Sequence, residues 1–229
     1  MREICLDTET TGLDPRDGHK IVEIGCVELV NRVRTGNDFH VYINPRREVP
    51  IEAFNVHGLS TDFLKDKDIF AHVAYKFLDF IRGAKLIIHN AAFDMKFLNF
   101  ELGLIGLDPI SKDSVIDTLL LARKKFPGAQ NSLDALCRRF EIDLSKRTKH
   151  GALLDSELLA DVYIELMGGA QEGLKFGLDK KEMKNQDEKT EFEQVRRELQ
   201  KREFALSAQD IENHNKFIKE NFKQNLWGI

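Results

Sequence analysis

The sequence predicts an α/β domain, a mixed sheet flanked by helices, followed by a tail of different character. Three observations carry that expectation. Alternating, β-rich segments crowd the stretch between residues 2 and 43. From residue 69 onward the apolar spacing switches to a helical period, interrupted by short apolar runs. Beyond residue 170 the apolar positions thin out and the charge becomes denser, with twelve basic and twelve acidic side chains in residues 171–229.

Taken in order, Arg2–Glu9 alternates as a strand, and Ile21–Val33 reads as a second with Gly25 inside it. Phe39–Ile43 alternates as a third, and short connections make the three antiparallel neighbours. The turn Asp14-Pro15-Arg16-Asp17-Gly18 has a mechanism, since Pro fixes φ and Gly permits φ > 0. Residues 69–81 space Val73, Phe77, Phe80 and Ile81 as a helix, and Lys85–His89 is a short buried strand. Residues 91–104 return to helical spacing at Phe93, Phe97, Phe100 and Leu104. Ser114–Ile116 is a further strand running into a helix over 117–125, and helices over 132–140 and 152–167 complete the domain. Strands first and βα units afterwards require a mixed sheet with helices on its faces.

A chain of 229 residues with 42% hydrophobic and 31% charged residues buries a sizeable core. Sixteen Phe against one Trp place the aromatics in that core. Three cysteines at 5, 26 and 137 without CxxC spacing exclude a disulfide scaffold or zinc module and fit a reducing cytoplasm. No apolar run approaches a membrane span, and the N-terminus has no signal-peptide core. Gly168-Gly169 mark a break, so the domains are expected at 1–170, a linker at 171–187 and a tail at 188–229. Residues 188–202 and 208–222 have the sparse apolar spacing of amphipathic helices that bury too little alone; a disordered tail fits the same residues.

Chemistry enters with acids where a core belongs. Asp7 and Glu9 stand two apart on a strand and share a face, with Ile4, Leu6 and Thr8 on the other. Two like charges on a buried strand repel unless a cation sits between them. Asp94 falls in the first turn of its helix after Asn90, a good N-cap, where the helix dipole alone would also favour an acid. Asp155 shares a helix face with Leu158, Leu159 and Val162, an expensive place for an unpaired charge. His150 precedes it on the loop entering that helix, where a histidine can equally be solvated. Oxygen ligands favour hard divalent cations, Mg²⁺ or Mn²⁺ rather than Zn²⁺, and two such ions can activate water and hold a leaving oxygen.

DTETTG with Asp7 and Glu9, HNAAFD with Asp94, and HGALLDSELLADVY with His150 and Asp155 together resemble the three motifs of the DEDDh 3′–5′ exonucleases. The pattern is most similar to the proofreading epsilon subunits of bacterial DNA polymerase III, over roughly residues 1–168. The resemblance implies an RNase H-like fold and two divalent cations held by Asp7, Glu9 and Asp155, with Asp94 completing the set. It makes His150 the general base, suited by an ordinary imidazole pKa, and implies release of nucleoside 5′-monophosphates from a DNA 3′ end. In PIEAFNVHGLS it makes Glu52 and His57 contacts to the terminal nucleotide, beside Asp7, Glu9 and Asp155; a helix start at Pro50 and a helix end at Gly58 account for the same residues structurally. Residues 123–149 hold eight basic and three acidic side chains, a phosphate track toward the site or a pair of solvated helix faces.

The tail carries the partner expectations. Gln171, Leu174 and Phe176 resemble the short peptide by which bacterial replication proteins bind the sliding clamp. Residues 188–229 occupy the place where the resemblance puts the polymerase alpha subunit, and tethering would raise the nuclease concentration at the primer end. A free-standing DEDDh exoribonuclease trimming RNA 3′ ends would use the same five residues. A stand-alone trimming enzyme has less need of a charged extension.

Overall fold

The structure, a computed structural model, describes residues 1–145, 149–169 and 207–221. The chain divides into two compact units, Met1–Phe176 and Gly177–Ile229. The first is built on a five-stranded sheet of order β3-β2-β1-β4-β5. Its strands are β1 (Arg2–Thr10), β2 (Ile21–Val30), β3 (Val33–Tyr42), β4 (Lys85–Ile88) and β5 (Val115–Asp117). β1 is antiparallel to β2 and parallel to β4, so the central strand joins a meander to a βα half.

The expected strand 21–33 stops at Val30. Asn31 and Arg32 both take positive φ, 52° and 65°, and make the two-residue hairpin turn whose twist matches the strands it joins. The expected strand 39–43 is the far end of β3, which begins at Val33.

Helices cover both faces. They are α1 (Ile51–His57), α2 (Thr61–Leu64), α3 (Phe70–Ile81), α4 (Ala91–Leu104), α5 (Thr118–Lys125), α6 (Leu133–Arg139) and α7 (Ala152–Leu166). Ile4, Leu6, Ile24 and Ile88 bury one sheet face against α3 and α4. Cys5, Val27, Leu29 and Ile87 bury the other against Leu159, Ala160 and Tyr163 of α7, and α5 and α6 pack outside α7 through Ala122, Leu136 and Cys137.

The sheet dictates where α7 sits. Gly25 lies beside Asp7 in the β1–β2 register, and an added Cβ would come 2.2 Å from the Ala152 carbonyl carbon. Only a glycine lets the start of α7 approach so closely, and Ser156 Oγ fastens it by donating to the Gly25 carbonyl at 2.9 Å.

In the second unit, α8 (Ala208–Asn221) is the expected second amphipathic helix. The helix expected over 188–202 and the peptide Gln171, Leu174, Phe176 lie outside the described residues. Among the described residues no helix is long and apolar enough to cross a membrane.

Candidate active site

The carboxylates meet at the C-terminal end of β1. Glu9 lies opposite Glu23 of β2, and a register shift between Glu9 and Thr10 marks a bulge at the strand's end. Such bulges re-aim side chains beside functional sites. Across the sheet face, α7 delivers Asp155 from its first turn. Glu9, His150 and Asp155 each bring a ligand atom to within 4.8 Å of the others. His150 Nδ1 stands 3.1 Å from Asp155 Oδ2. If Nδ1 carries the proton, it donates to the carboxylate and leaves Nε2 as the ring's basic nitrogen.

Asp7 is half-buried and lines a pocket of about 830 Å³ with His150 and Asp155. Burial first, then the charges of Asp94, Glu9 and Asp155, push its carboxyl well above the usual carboxylate range. Acids massed in this way favour a cation between them.

Asp94 comes from α4, on the other side of β1. Its Oδ1 accepts from the Thr8 backbone N–H at 3.0 Å and from the Thr8 hydroxyl at 2.7 Å. Burial raises its carboxyl to about 7 against these bonds, which favour the charged form. The structure thus gathers Glu9, His150 and Asp155 in one ligand-sized group. Asp7 lies within electrostatic reach, and Asp94 is held on Thr8.

Asn90 does not cap α4 with its side chain. It adopts a left-handed conformation at φ 65°, and the Asp117 carboxylate accepts from the N–H groups of Asn90 and Ala91 instead. The same carboxylate accepts from Leu119 and Leu120, so one acid closes the starts of both α4 and α5.

Glu52 and His57 both lie on α1, in a second pocket of about 570 Å³. Its walls include Glu9, Thr10, Leu13, Pro50, Val56 and Phe93. Glu52 is exposed and His57 buried. His57 Nδ1 accepts the Leu59 backbone N–H at 3.0 Å, so Nε2 carries the ring proton, a buried atom that makes no well-formed hydrogen bond, with the Thr10 backbone beside the ring. Burial holds the imidazole below its ordinary pKa, in the neutral form. A neutral donor beside apolar walls suits a sugar or base oxygen.

The basic stretch is partly structural. Lys125 Nζ donates to the Glu165 and Leu166 carbonyls at the end of α7, and Arg139 stacks over Phe126. Among the described residues of the stretch, Arg123 alone lines the Asp7 pocket. Sequence reasoning also missed Glu23, which is 3% exposed, faces the same side as Glu9 and holds His40 Nε2 at 2.7 Å. The signal was present, an acid inside the apolar run IVEIGC, and it is the one that singled out Asp7.

Acids converging at the end of a mixed sheet, between two pockets, define the class. A family model described as "Exonuclease" matches residues 4–163, and the chain belongs to that family. Relatives narrow it to the DNA polymerase III epsilon subunits. The DNA polymerase III subunit epsilon of Rickettsia conorii is 51% identical over 90% of this chain and 96% of its own length. That of Escherichia coli K12 is 50% identical over 93% of this chain and 90% of its own. A solved structure of exonuclease X in complex with 5′ overhanging duplex DNA is 27% identical, with a TM-score of 0.57, over 72% of this chain and 90% of that one. The nuclease domain of 3′hExo, a DEDDh family member bound to rAMP, shares the fold with a TM-score of 0.63 at 22% identity, over 72% of this chain and 91% of that one. The expected RNase H-like fold is therefore the fold found, and the protein is a 3′–5′ exonuclease of the epsilon type. The family depends on divalent metal.

Proposed function

We propose that this exonuclease removes the terminal nucleotide of a DNA 3′ end beside the replicative polymerase, with Asp7, Glu9 and Asp155 holding two Mg²⁺ or Mn²⁺ ions and Asp94 completing the set. The observation that supports this most is the convergence of Glu9, His150 and Asp155 within 4.8 Å next to an Asp7 whose burial already raises its carboxyl. The donor set suits such ions, since it consists of hard carboxylate oxygens whose crowding a cation would relieve. When bound, the ions supply Lewis acidity at the phosphate and a reactive water.

The chain's own residues do the rest. Asp155 orients His150, whose Nε2 takes the proton of the attacking water. Glu52 and His57 hold the terminal nucleoside between the apolar walls of their pocket, and Arg123 meets the phosphates on the other side. The nucleotide leaves as a 5′-monophosphate. The nuclease body corresponds to residues 1–170. Residues 171–187 join it, through Gln171, Leu174 and Phe176, to a sliding clamp, and residues 188–229 bind the polymerase alpha subunit in the cytoplasm.

Incubating the protein with Mg²⁺ and a 3′-labelled single-stranded oligodeoxynucleotide should release labelled mononucleotide. No shortening removes the nuclease assignment, and preference for an RNA end favours the free-standing exoribonuclease. Truncation after residue 170 should keep the activity and lose polymerase alpha from pull-downs; retained binding would refute the tail assignment.

A further inference from the structure

The loop that carries His150 is fastened to the helix that lines the apolar-walled pocket. The His150 backbone N–H donates to the Val56 carbonyl at 3.2 Å. One residue earlier, Lys149 places its Nζ 4.7 Å from the centre of the Phe54 ring. Its stem crosses Gly58, where an added Cβ would stand 2.7 Å from Lys149 Cδ. Gly58 ends α1 in the left-handed region at φ 76°, and the bare Cα lets the lysine lie flat on the helix end. Three contacts from two consecutive residues therefore grip α1.

That helix is the one presenting Glu52, Ala53, Val56 and His57 to the pocket. It has seven residues and no side-chain cap, so its own hydrogen bonds hold it weakly and its neighbours set its position. Whatever fills the pocket presses on Val56 and His57, and Val56 holds the His150 backbone. Two sites that share one marginal element are coupled through its equilibrium.

We propose that Lys149 is a positioning residue that clasps the His150 loop to α1, so that a nucleoside filling the pocket steadies the histidine where it stands beside the acids. The inference rests on the nuclease reading above and adds a coupling to it: hydrolysis gains most from the clasp when a terminal nucleoside occupies the pocket.

Two monoanionic diesters with the same leaving group separate this role from a general one. The p-nitrophenyl ester of thymidine 5′-monophosphate fills the pocket, and bis(p-nitrophenyl) phosphate brings no nucleoside. Loss of a nearby positive charge affects both alike, so the ratio of their rates is the readout. With full-length protein and Mn²⁺, Lys149→Ala should lower the nucleotide-to-diester ratio about three- to tenfold, mainly in kcat, as expected for losing one cation–π clasp. Lys149→Arg should restore the ratio, because a guanidinium also stacks on Phe54. Thermal unfolding of each variant checks that it is folded. An unchanged ratio, or a proportional loss on both esters, overturns the clasp. Failure of the unsubstituted protein to hydrolyse either ester would instead remove the nuclease reading, and this one with it.

Discussion

The two ends of β1 treat acids in opposite ways. Glu3, Asp7 and Glu9 share one face of the same strand. At the first end Glu3, 2% exposed, accepts the Tyr163 hydroxyl at 2.7 Å, so a buried acid is matched by a dedicated donor. At the far end Asp7 stands within the charges of Glu9, Asp94 and Asp155, and its carboxyl is driven up by burial and by these like charges. The first arrangement is a solved structural problem. The second is one that a cation would answer. A buried acid marks a functional site when its neighbours aggravate its charge rather than answer it.

Substitutions at the two ends sharpen that contrast. Asp7→Ala or Asp155→Ala should lower exonuclease turnover by on the order of 10³-fold or more, because several kcal/mol of transition-state stabilisation go with the metal site. The melting temperature should hold or rise, since a repelling charge is gone. Near-normal turnover in either variant would dissolve the metal assignment. Tyr163→Phe should do the reverse. Leaving Glu3 buried without its donor costs about 1–3 kcal/mol of stability, seen in denaturant unfolding, while turnover on oligonucleotides stays close to that of the parent. A large activity loss there would mean that the two ends are not separate.

Gly25 seats α7, the helix that carries both Asp155 and Tyr163, and gives an intermediate effect. A methyl group there meets the backbone of Ala152, which cannot move aside without carrying Asp155 with it. Gly25→Ala should cost about 1–3 kcal/mol by overpacking. It should also lower turnover roughly 10- to 100-fold by displacing a ligand through part of an ångström. Stability loss without activity loss would show that α7 tilts about Asp155 rather than shifting it.

Much of this was legible in the chain. The helix over 91–104 is found with those bounds, because its Phe and Leu positions repeat at helical spacing without interruption. Asp7, Glu9 and Asp155 stood out because acids in apolar surroundings are costly wherever they fall, whereas Asp94 and His150, ambiguous alone, stood out only through the joint resemblance of the three motifs. The hairpin at Asn31-Arg32 was missed because β-rich character runs through it, and only the positive φ of both residues breaks the strand. The short α1 and α2 have too few turns for a period to register. Gly25 read only as a glycine inside a strand, because its reason lies with Ala152, distant in the chain. Thr8 and Asp117 hold Asp94 and Asn90 by hydrogen bonds across elements, and no local pattern encodes such pairs.

The smallest effect expected is also the most direct probe of the crowded end. Asp94 titrates near 7 in the folded chain instead of at its ordinary 3.8, and Asp7 is raised as well. Between those values the folded protein keeps protons that the unfolded chain has released. Without divalent metal, Asp94 therefore makes stability fall as pH rises from about 4 to about 7, and Asp7, also raised, acts in the same direction. Cations bind the ionised acids and displace the protons, so their stabilising effect must grow over the same window. Calorimetry with EDTA and with Mg²⁺ should find a larger metal-induced rise in melting temperature at pH 8 than at pH 5, by a few degrees, about the shift that 1 kcal/mol makes in a domain of this size. Asp94→Asn should shrink the difference by removing one titrating group, whereas Tyr163→Phe, at the other end of the strand, should leave it unchanged. A metal effect of equal size at both pH values would mean that the acids are already ionised in the folded chain, and the two ends of β1 would then differ in geometry alone.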